Sequence, residues 1–270
     1  MIDFIKDELE LLGIKNAAVI PLSLCKIIRP YKLEKCGFED VETLSAVMFT
    51  IPYLTENHDK NISSYAIPRD YHLFCSELFG IIIPKLKNIF PENNFVGFAD
   101  NSPIDEVHAA AMSGLGIIGD NGLLITDTHS SYVFIGEIIT DLEAPRGDNY
   151  EIKRCESCGR CADACPKSEF GECLSDITQK KGELSNQDIS TIKKYGSAWG
   201  CDICSEVCPH TKKAIKNGTI YTDIPFFTSE LTPRLTKDTV LGMSDEEFSR
   251  RAYSWRKKET ILRNLTILEE

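Results

Sequence analysis

The sequence predicts an α/β domain followed by a smaller module that cysteines organise, and two patterns carry this prediction. Over residues 1–150, apolar segments with helical spacing alternate with short strand-like segments. Over residues 151–220, closely spaced cysteines replace the apolar periodicity. We therefore predict an α/β domain over 1–150, the cysteine module over 151–220 and a short helical tail over 221–270.

The elements of the α/β domain follow from apolar spacing and from the residues that interrupt it. Gly114 and Gly116 stop a short helix, and an apolar run over 44–51 ends at Pro52. The predicted helices cover 2–12, 70–90 with a break near Pro84, and 108–112. The predicted strands cover 17–21, 94–99, 122–126 and 132–139, the last two joined by a polar turn over 127–131.

The second half of the chain offers fewer signals. A helix is predicted over 187–194. Ser244 with Glu247 three residues later forms a capping box, which predicts a helix running toward Tyr253. The cysteines must hold the module together, since it has little apolar core of its own.

Composition limits the possible partners. The chain has 30 basic and 41 acidic residues, a net charge of −11, which opposes broad contact with a polyanion. Two local groups of basic residues leave a local contact with nucleic acid open, although solvated helix faces are the favoured explanation for them. These groups are Lys193, Lys194, Lys212, Lys213 and Lys216, and Arg250, Arg251, Arg256, Lys257, Lys258 and Arg263.

The N-terminal segment lacks the basic start and long apolar stretch of a secretory signal. No run approaches the roughly 20 apolar residues of a membrane span. We therefore expect a protein without a membrane segment that resides in the cytoplasm, a compartment in which thiols stay reduced.

Eight of the 11 cysteines follow the spacing of a bacterial ferredoxin with two [4Fe–4S] clusters. In that signature, three close thiolates hold one cluster and the cysteine before proline binds the other. The first run consists of Cys155, Cys158, Cys161 and Cys165, and the second run consists of Cys201, Cys204 and Cys208. The second run has Ala198 in place of its first cysteine, and Cys173 is the natural replacement. We assign Cys155, Cys158, Cys161 and Cys208 to cluster one, and Cys165, Cys173, Cys201 and Cys204 to cluster two.

Structural zinc and disulfides are the alternatives. Zinc sites use paired CxxC knuckles and do not need the cysteine before proline, and disulfides fit an oxidising compartment. Cys25, Cys36 and Cys75 each stand alone and are interpreted as small apolar residues. No glycine-rich dinucleotide fingerprint, P-loop or HExxH motif is present. The residues themselves thus predict an electron-transfer module joined to an α/β substrate or cofactor domain.

Several segments resemble the epoxyqueuosine reductases in one collinear order. The segment 65–72, YAIPRDYH, is similar to that family's YAxGRDYH stretch, and 111–119, AMSGLGIIG, is similar to its AGLGWIGK turn. Asp100 with Pro103 matches the family's aspartate strand. The match continues through 121–125, 131–142, Cys173 with 178–182, 199–204 and 254–258.

The resemblance implies a nitroreductase-like α/β fold shared with corrinoid reductive dehalogenases, a ferredoxin-like module and a bound cobalamin. It implies reduction of epoxyqueuosine to queuosine in the tRNA anticodon loop. An external ferredoxin- or flavodoxin-type donor would reduce cluster one, and cluster two would pass electrons to cobalt. Matching positions place the following residues near the corrin: Ser63, Asp100, Asn121, Leu124, Ile135, Ser175, Cys201 and Asp202.

Asp100 matches the family's proton donor. A carboxyl group that faces an apolar macrocycle would have a raised pKa and keep its proton near neutrality. The surrounding Ala-Asp-Asn-Ser-Pro sequence also suits a turn, in which Asp100 would be a capping carboxylate.

The chain departs from the family pattern at three cations and at its C-terminus. Val107 and Met112 replace arginines, Asp120 replaces the lysine of the turn, and the helical repeats of many members do not follow. These changes weaken the tRNA interpretation. One hypothesis is a short, monomeric epoxyqueuosine reductase that uses remaining cations such as Lys181. The others are a relative acting on a small molecule and a ferredoxin-type electron carrier without corrinoid.

Overall fold

The computed structural model describes residues 2–56, 59–143 and 150–270. The chain divides into two compact units. Unit 1 comprises residues 1–52 and 74–158, and unit 2 comprises 53–73 and 159–270. The segment 53–73, which sequence analysis includes in the N-terminal domain, therefore belongs with the cysteine module and the C-terminal tail.

Unit 1 is built on an antiparallel sheet of four strands in the order β1-β2-β6-β3. All eight residues of β2 are buried, as expected of a central strand covered on both faces. A separate pair, β4 and β5, forms a second small sheet. The strands are β1 (Asn16–Pro21), β2 (Ser45–Pro52), β3 (Phe95–Ala99), β4 (Ile117–Ile118), β5 (Leu124–Ile125) and β6 (Val133–Thr140).

The helices that begin in the first half of the chain are α1 (Ile2–Leu11), α2 (Pro30–Lys35), α3 (Tyr71–Ile89) and α4 (Glu106–Met112). Helix α4 buries three consecutive alanines, Ala109, Ala110 and Ala111, in a core shared with Met48 and Ile139 of the sheet. Small side chains let the backbone of α4 approach the sheet closely. This places the first turn of α4 beside the end of β3, where Asp100 lies.

The predicted break in α3 near Pro84 is wrong. The helix continues from Tyr71 to Ile89 with Pro84 inside it. An internal proline costs about 3 kcal/mol through the lost hydrogen bond and ring clash. Leu78, Ile82 and Leu86 form a buried stripe that extends across the proline, and this packing holds the helix together.

Unit 2 consists of short helices around a core that contains Trp199 and Tyr253. Their rings meet edge to face, with 6.2 Å between centroids. The helices are α5 (Arg160–Ala164), α6 (Pro166–Phe170), α7 (Leu174–Gln179), α8 (Asn186–Tyr195), α9 (Ile203–Glu206), α10 (Pro209–Asn217), α11 (Pro225–Thr228), α12 (Lys237–Gly242), α13 (Asp245–Ser249) and α14 (Lys257–Glu269).

The capping box at Ser244 and Glu247 is confirmed, with Ser244 Oγ 3.2 Å from the Glu247 amide nitrogen. The expected continuation toward Tyr253 is wrong, because α13 ends at Ser249. Arg251 instead forms an isolated β-bridge with Arg69, which takes its backbone out of the helix. Among the described residues, no helix combines the length and apolar character needed to cross a membrane.

Candidate functional site

Three of the eight motif cysteines occupy helix N-caps. Cys165, Cys173 and Cys208 precede α6, α7 and α10, each with an extended backbone conformation. The proline after Cys165 and Cys208 stands at the first helical position, where its missing N–H is not needed. Partial positive charge at a helix N-terminus favours a thiolate, the form in which cysteine binds iron. The Cys-Pro pairs thus have a structural basis in helix initiation.

The four cysteines assigned to cluster two all belong to unit 2. Burial, and after it the neighbouring Cys204, Asp202 and Cys173, raise the pKa of the Cys201 thiol to about 12. Cys173 and Cys204 thus lie close enough to Cys201 to oppose its ionisation. A group of thiolates of this kind requires a bound cation centre, so the residues fit an iron–sulfur cluster.

The cysteines assigned to cluster one are divided between the two units, with Cys155 and Cys158 in unit 1 and Cys161 and Cys208 in unit 2. Their common ligation stays a prediction. The 11 cysteines all lie in the described ranges, and no disulfide joins them there. No three His, Cys, Asp or Glu side chains in the described ranges surround a point suited to one metal ion.

Asp120 contacts the first cysteine of the motif. Its main-chain N–H donates to Cys155 Sγ across 3.3 Å, and its Oδ1 accepts from Ser157 Oγ at 3.2 Å. The Cys155 amide in turn donates to the Ile118 carbonyl. The residue that replaces the family's lysine therefore holds the cysteine loop of unit 1.

Asp202 is the centre of a buried polar network in unit 2. It accepts hydrogen bonds from Ser63 Oγ, from the Ser64 amide at 2.7 Å and from Ser64 Oγ at 2.7 Å. Lys60 Nζ lies 2.6 Å from Asp202 Oδ2 and 2.9 Å from Glu206 Oε1. Two of the predicted corrin contacts, Ser63 and Asp202, are thus in direct contact.

Lys60 was missed by sequence reasoning because a single lysine in a polar stretch has no distinguishing spacing. Burial lowers the pKa of Lys60, but Asp202 and Glu206 outweigh this effect and raise the pKa above its ordinary value. The ammonium stays charged at neutral pH. It also lines a cavity of about 210 Å³ in unit 2, together with Asn61, Ser63, Leu174, Cys201 and Asp202.

The other predicted corrin contacts have local structural roles. In unit 2, Ser175 Oγ accepts from Gln179 Nε2 at 3.0 Å. In unit 1, Asn121 Oδ1 accepts the Leu123 amide at 3.2 Å, Leu124 is buried in β5, and Ile135 packs on the core from β6. Their contact with a corrin stays a prediction.

Asp100 occupies the apex of a tight turn after β3. Its φ is +64°, and the Asn101 amide donates across it to the Ala99 carbonyl at 2.8 Å, which defines a strained γ-turn. The Asp100 amide donates to Glu106 Oε1 at 2.8 Å. The side chain is on the exposed surface of unit 1. Strained, exposed turns of this kind often carry functional side chains.

A neighbouring segment holds the rest of the Asp100 turn. Arg29 Nη1 donates to the Ser102 carbonyl at 2.8 Å, and Lys32 Nζ donates to the Asn101 carbonyl at 2.6 Å. The amides of Ile28 and Arg29 both donate to the Pro103 carbonyl. Asp100 is therefore presented by a turn that is fixed on the side of α2.

Behind the Asp100 turn lie two acidic residues that sequence reasoning missed. Glu137 of β6 is 0% exposed, and burial followed by the nearby Glu106 raises its pKa well above the ordinary value. Burial raises the pKa of Glu106 to about 7. The only signal in the sequence is an acid at an inward position of an otherwise apolar strand, VFIGEIIT.

Several basic residues near the C-terminus have intramolecular contacts. Arg251 Nη1 donates to the Glu230 carbonyl, Lys258 Nζ to the Met243 carbonyl and Arg263 Nη1 to the Gly182 carbonyl, each at 2.6 Å. Arg256 lies over the Trp255 ring, 3.9 Å from its centroid. These contacts show that this group of cations also has a structural role.

Comparison with known proteins identifies the relatives of this chain. No protein-family model matches. The epoxyqueuosine reductase of Lactococcus garvieae is 29% identical over 253 residues, covering 86% of this chain and 69% of the relative. Those of Gloeobacter violaceus and Synechocystis are each 30% identical, covering 70% and 69% of this chain. The chain spans 61% and 66% of these two relatives.

Solved structures agree in fold. A crystal structure of selenomethionine-labelled epoxyqueuosine reductase matches with a TM-score of 0.77 at 22% identity, covering 98% of this chain and 80% of that one. The Streptococcus thermophilus epoxyqueuosine reductase matches with a TM-score of 0.75 at 23% identity, covering 99% and 80%. A catabolic reductive dehalogenase matches more distantly, with a TM-score of 0.51 at 12% identity over 82% of this chain and 34% of that one. The predicted α/β fold is confirmed, and the chain is similar in sequence and in fold to the epoxyqueuosine reductases.

Proposed function

We propose that this chain reduces epoxyqueuosine to queuosine in tRNA. The observation that carries the proposal is Asp100, an exposed acid on a fixed turn at the position of the family's proton donor. One related structure is an epoxyqueuosine reductase with a stem loop of tyrosine tRNA that carries epoxyqueuosine. That relative supports an anticodon-loop substrate for this chain.

The cofactors proposed are two [4Fe–4S] clusters and cobalamin. Cobalamin supplies a strongly reducing cobalt centre, chemistry that no side chain offers. The eight motif cysteines would hold the clusters as thiolates, in the two sets given above. In unit 2, Ser63 and Asp202 beside Cys201 would contact the corrin, with Lys60 paired to Asp202.

Asp100 would supply one of the two protons that the reaction consumes. Reduction of the epoxide to an alkene takes up an electron pair and protons, and the oxygen leaves as water. A carboxylic acid placed at the breaking C–O bond donates to the departing oxygen and avoids a free alkoxide. Another relative, from Bacillus subtilis, has its catalytic aspartate loop swung out of the active site. In this chain, the conformation of the turn 99–105 would likewise determine whether the Asp100 carboxyl reaches the substrate.

Contact with RNA would use the cations that remain. Lys181 and the C-terminal basic residues are candidates, since Val107, Met112 and Asp120 replace cations. A tRNA substrate and reduced thiols place the reaction in the cytoplasm. A ferredoxin- or flavodoxin-type protein would donate electrons, and the chain would act as a monomer.

The test is anaerobic reconstitution with iron, sulfide and cobalamin, followed by a strong reductant and epoxyqueuosine-containing tRNA. We expect queuosine in the digested nucleosides. Asp100→Asn should retain both cofactors and lower turnover by roughly 10²- to 10⁴-fold. Full turnover by Asp100→Asn would remove Asp100 from the mechanism.

A second candidate is reduction of a small molecule by the same cofactors. The acid at Asp120, next to Cys155, favours it, because an acid there repels phosphate. Loaded protein that makes no queuosine and shows no affinity for the RNA at low salt would support this candidate. RNA binding that weakens on Lys181→Glu would support the tRNA substrate.

A further inference from the structure

The Asp100 turn depends on an acid that is not part of its own loop. Glu106 begins α4, and its Oε1 accepts the Asp100 amide at 2.8 Å. The Asp100 amide points to this carboxylate from the tight turn in which Asp100 has a positive φ. Glu106 thus anchors the same residue whose side chain is the proposed proton donor.

Glu106 is backed by a second acid rather than by a cation. Glu137 lies behind it, fully buried, and neither of its carboxyl oxygens makes a hydrogen bond of good geometry, although the Ser102 hydroxyl and the Glu106 carboxyl lie beside it. A buried pair of adjacent acids that are both ionised is strongly unfavourable. One shared proton resolves this, with neutral Glu137 donating to the Glu106 carboxylate.

The charged and titratable groups around the pair come from four parts of unit 1. The Asp100 carboxyl, after β3, disfavours the charge of Glu106. The Asp100 amide, hydrogen bonding to Glu137 of β6 and the charge of Arg29, before α2, favour it. Cys25 faces Glu137, and its thiol pKa is raised to about 12 by burial and by Glu137, so it stays neutral. With its pKa raised to about 7 by burial, Glu106 changes charge near neutrality.

We propose that Glu106 is a positioning residue: its carboxylate, backed by protonated Glu137, holds the main-chain N–H of Asp100 and so fixes the turn that presents the proton donor. The inference rests on the proposed function for its catalytic consequence, but the contact itself can be tested without catalysis. A charged acceptor makes a stronger hydrogen bond than a neutral one. The turn is therefore held more firmly above pH 7 than below it.

The test is hydrogen exchange of residues 100–105 in the full chain, measured by mass spectrometry with and without cofactors. Glu106→Ala removes the acceptor, so exchange at Asp100 should be about tenfold faster at pH 8, as expected for loss of one charge-assisted hydrogen bond. Glu106→Gln retains an acceptor oxygen and should restore most of the protection. The control is Asp40→Ala, which removes a comparable contact to the Glu42 amide and should leave residues 100–105 unchanged.

A pH series gives a second readout. After correction for intrinsic exchange, wild-type protection at Asp100 should fall between pH 8 and pH 6, and Glu106→Gln should show no such change. Wild-type exchange rates in Glu106→Ala would overturn the proposal. If that variant does not fold, parallel pH profiles of wild type and Glu106→Gln would overturn it instead.

Turnover separates this inference from the proposed function. Glu106→Ala should lower kcat by roughly a hundredfold with little change in KM, as expected for a misplaced proton donor. Glu106→Gln should recover most of kcat. Loaded wild-type protein that makes no queuosine would contradict the proposed function, and full turnover by Asp100→Asn would remove Asp100 from the mechanism. In either case the exchange result would still decide whether Glu106 holds the turn.

Discussion

Lys60 Nζ lies 2.6 Å from Asp202 Oδ2, an ion pair between residues 142 positions apart in the chain. It joins segment 53–73 to the second cysteine run within unit 2. Asp202 precedes α9 directly, and Cys201 precedes Asp202. The ion pair therefore fixes the backbone that presents two predicted cluster ligands, Cys201 and Cys204.

Asp202→Asn should destabilise unit 2 by about 3 kcal/mol, because it leaves the partly buried Lys60 without its closest carboxylate. Both tryptophans of the chain lie in this unit, so tryptophan fluorescence during urea unfolding measures the effect. Asp59→Asn is the control, since its pair with Arg234 is exposed and contributes less than about 1 kcal/mol. Equal effects of the two substitutions would contradict a structural role for the Asp202 network.

Gly200→Ala should disturb Ser63. Gly200 has φ +68°, and a Cβ there would lie 2.6 Å from Ser63 Cβ. Gly218 is the matched control, because it has φ +69° and open space around the corresponding position. Both variants bear the backbone strain of about 1–2 kcal/mol, and Gly200→Ala should cost about 1–3 kcal/mol more through overpacking. Unfolding of both variants, followed by tryptophan fluorescence, provides the comparison. Equal losses in the free energy of unfolding would mean that the Ser63 segment moves aside without an energetic cost.

The sequence predicts local elements of this protein better than their arrangement. The helix 187–194 is confirmed, extended by a residue at each end, as Asn186–Tyr195. Insertion of β6 between β2 and β3 could not be predicted, since pairing such as Met48 with Glu137 depends on tertiary packing rather than on local propensity. The strand 122–126 is shorter than predicted because Gly122 adopts φ +79° in a turn.

The residues of the candidate site likewise divide into those that the sequence predicts and those that only the structure reveals. Cysteine spacing predicts chemistry because ligands must recur at fixed distances, and the resemblance predicts roles for Asp100, Ser63 and Asp202 that stay predictions. Lys60, Glu106 and Glu137 act through contacts between distant segments, and single acids or lysines carry no spacing signal. Burial of Glu137 is also contrary to the expectation that an inward strand position is apolar.

Cys173→Ala should remove one cluster and leave the other. Cys173 is the predicted fourth ligand of cluster two and caps α7 with Cys201 close by. Iron and sulfide analysis with electron paramagnetic resonance of the reduced protein should show about half of the wild-type signal. Cys75→Ala, a buried cysteine of α3 outside the motif, is the control and should retain full iron. Unchanged iron in Cys173→Ala would refute the ligand assignment.

Unfolding of unit 1 should depend on pH through Glu106. Its folded pKa of about 7 lies above the unfolded value of about 4.3, so the folded state binds the proton more tightly between these values. The stabilisation is complete below the unfolded pKa and is lost as pH rises through about 7. The glutamine of Glu106→Gln does not titrate. The free energy of unfolding of this variant, relative to that of wild type, should therefore rise by about 2 kcal/mol from pH 5.5 to pH 8.

Urea unfolding followed by circular dichroism at both pH values measures this difference. Glu247→Gln is the control, because its stability should depend on pH in the opposite direction. Hydrogen bonding to Ser244 lowers the Glu247 pKa, so the contribution of Glu247 to stability is lost as pH falls. A gap between wild type and Glu106→Gln that is the same at both pH values would mean that Glu106 does not share a proton with Glu137. In that case Glu106 would anchor Asp100 at all pH values, and the turn would have no pH-dependent hold.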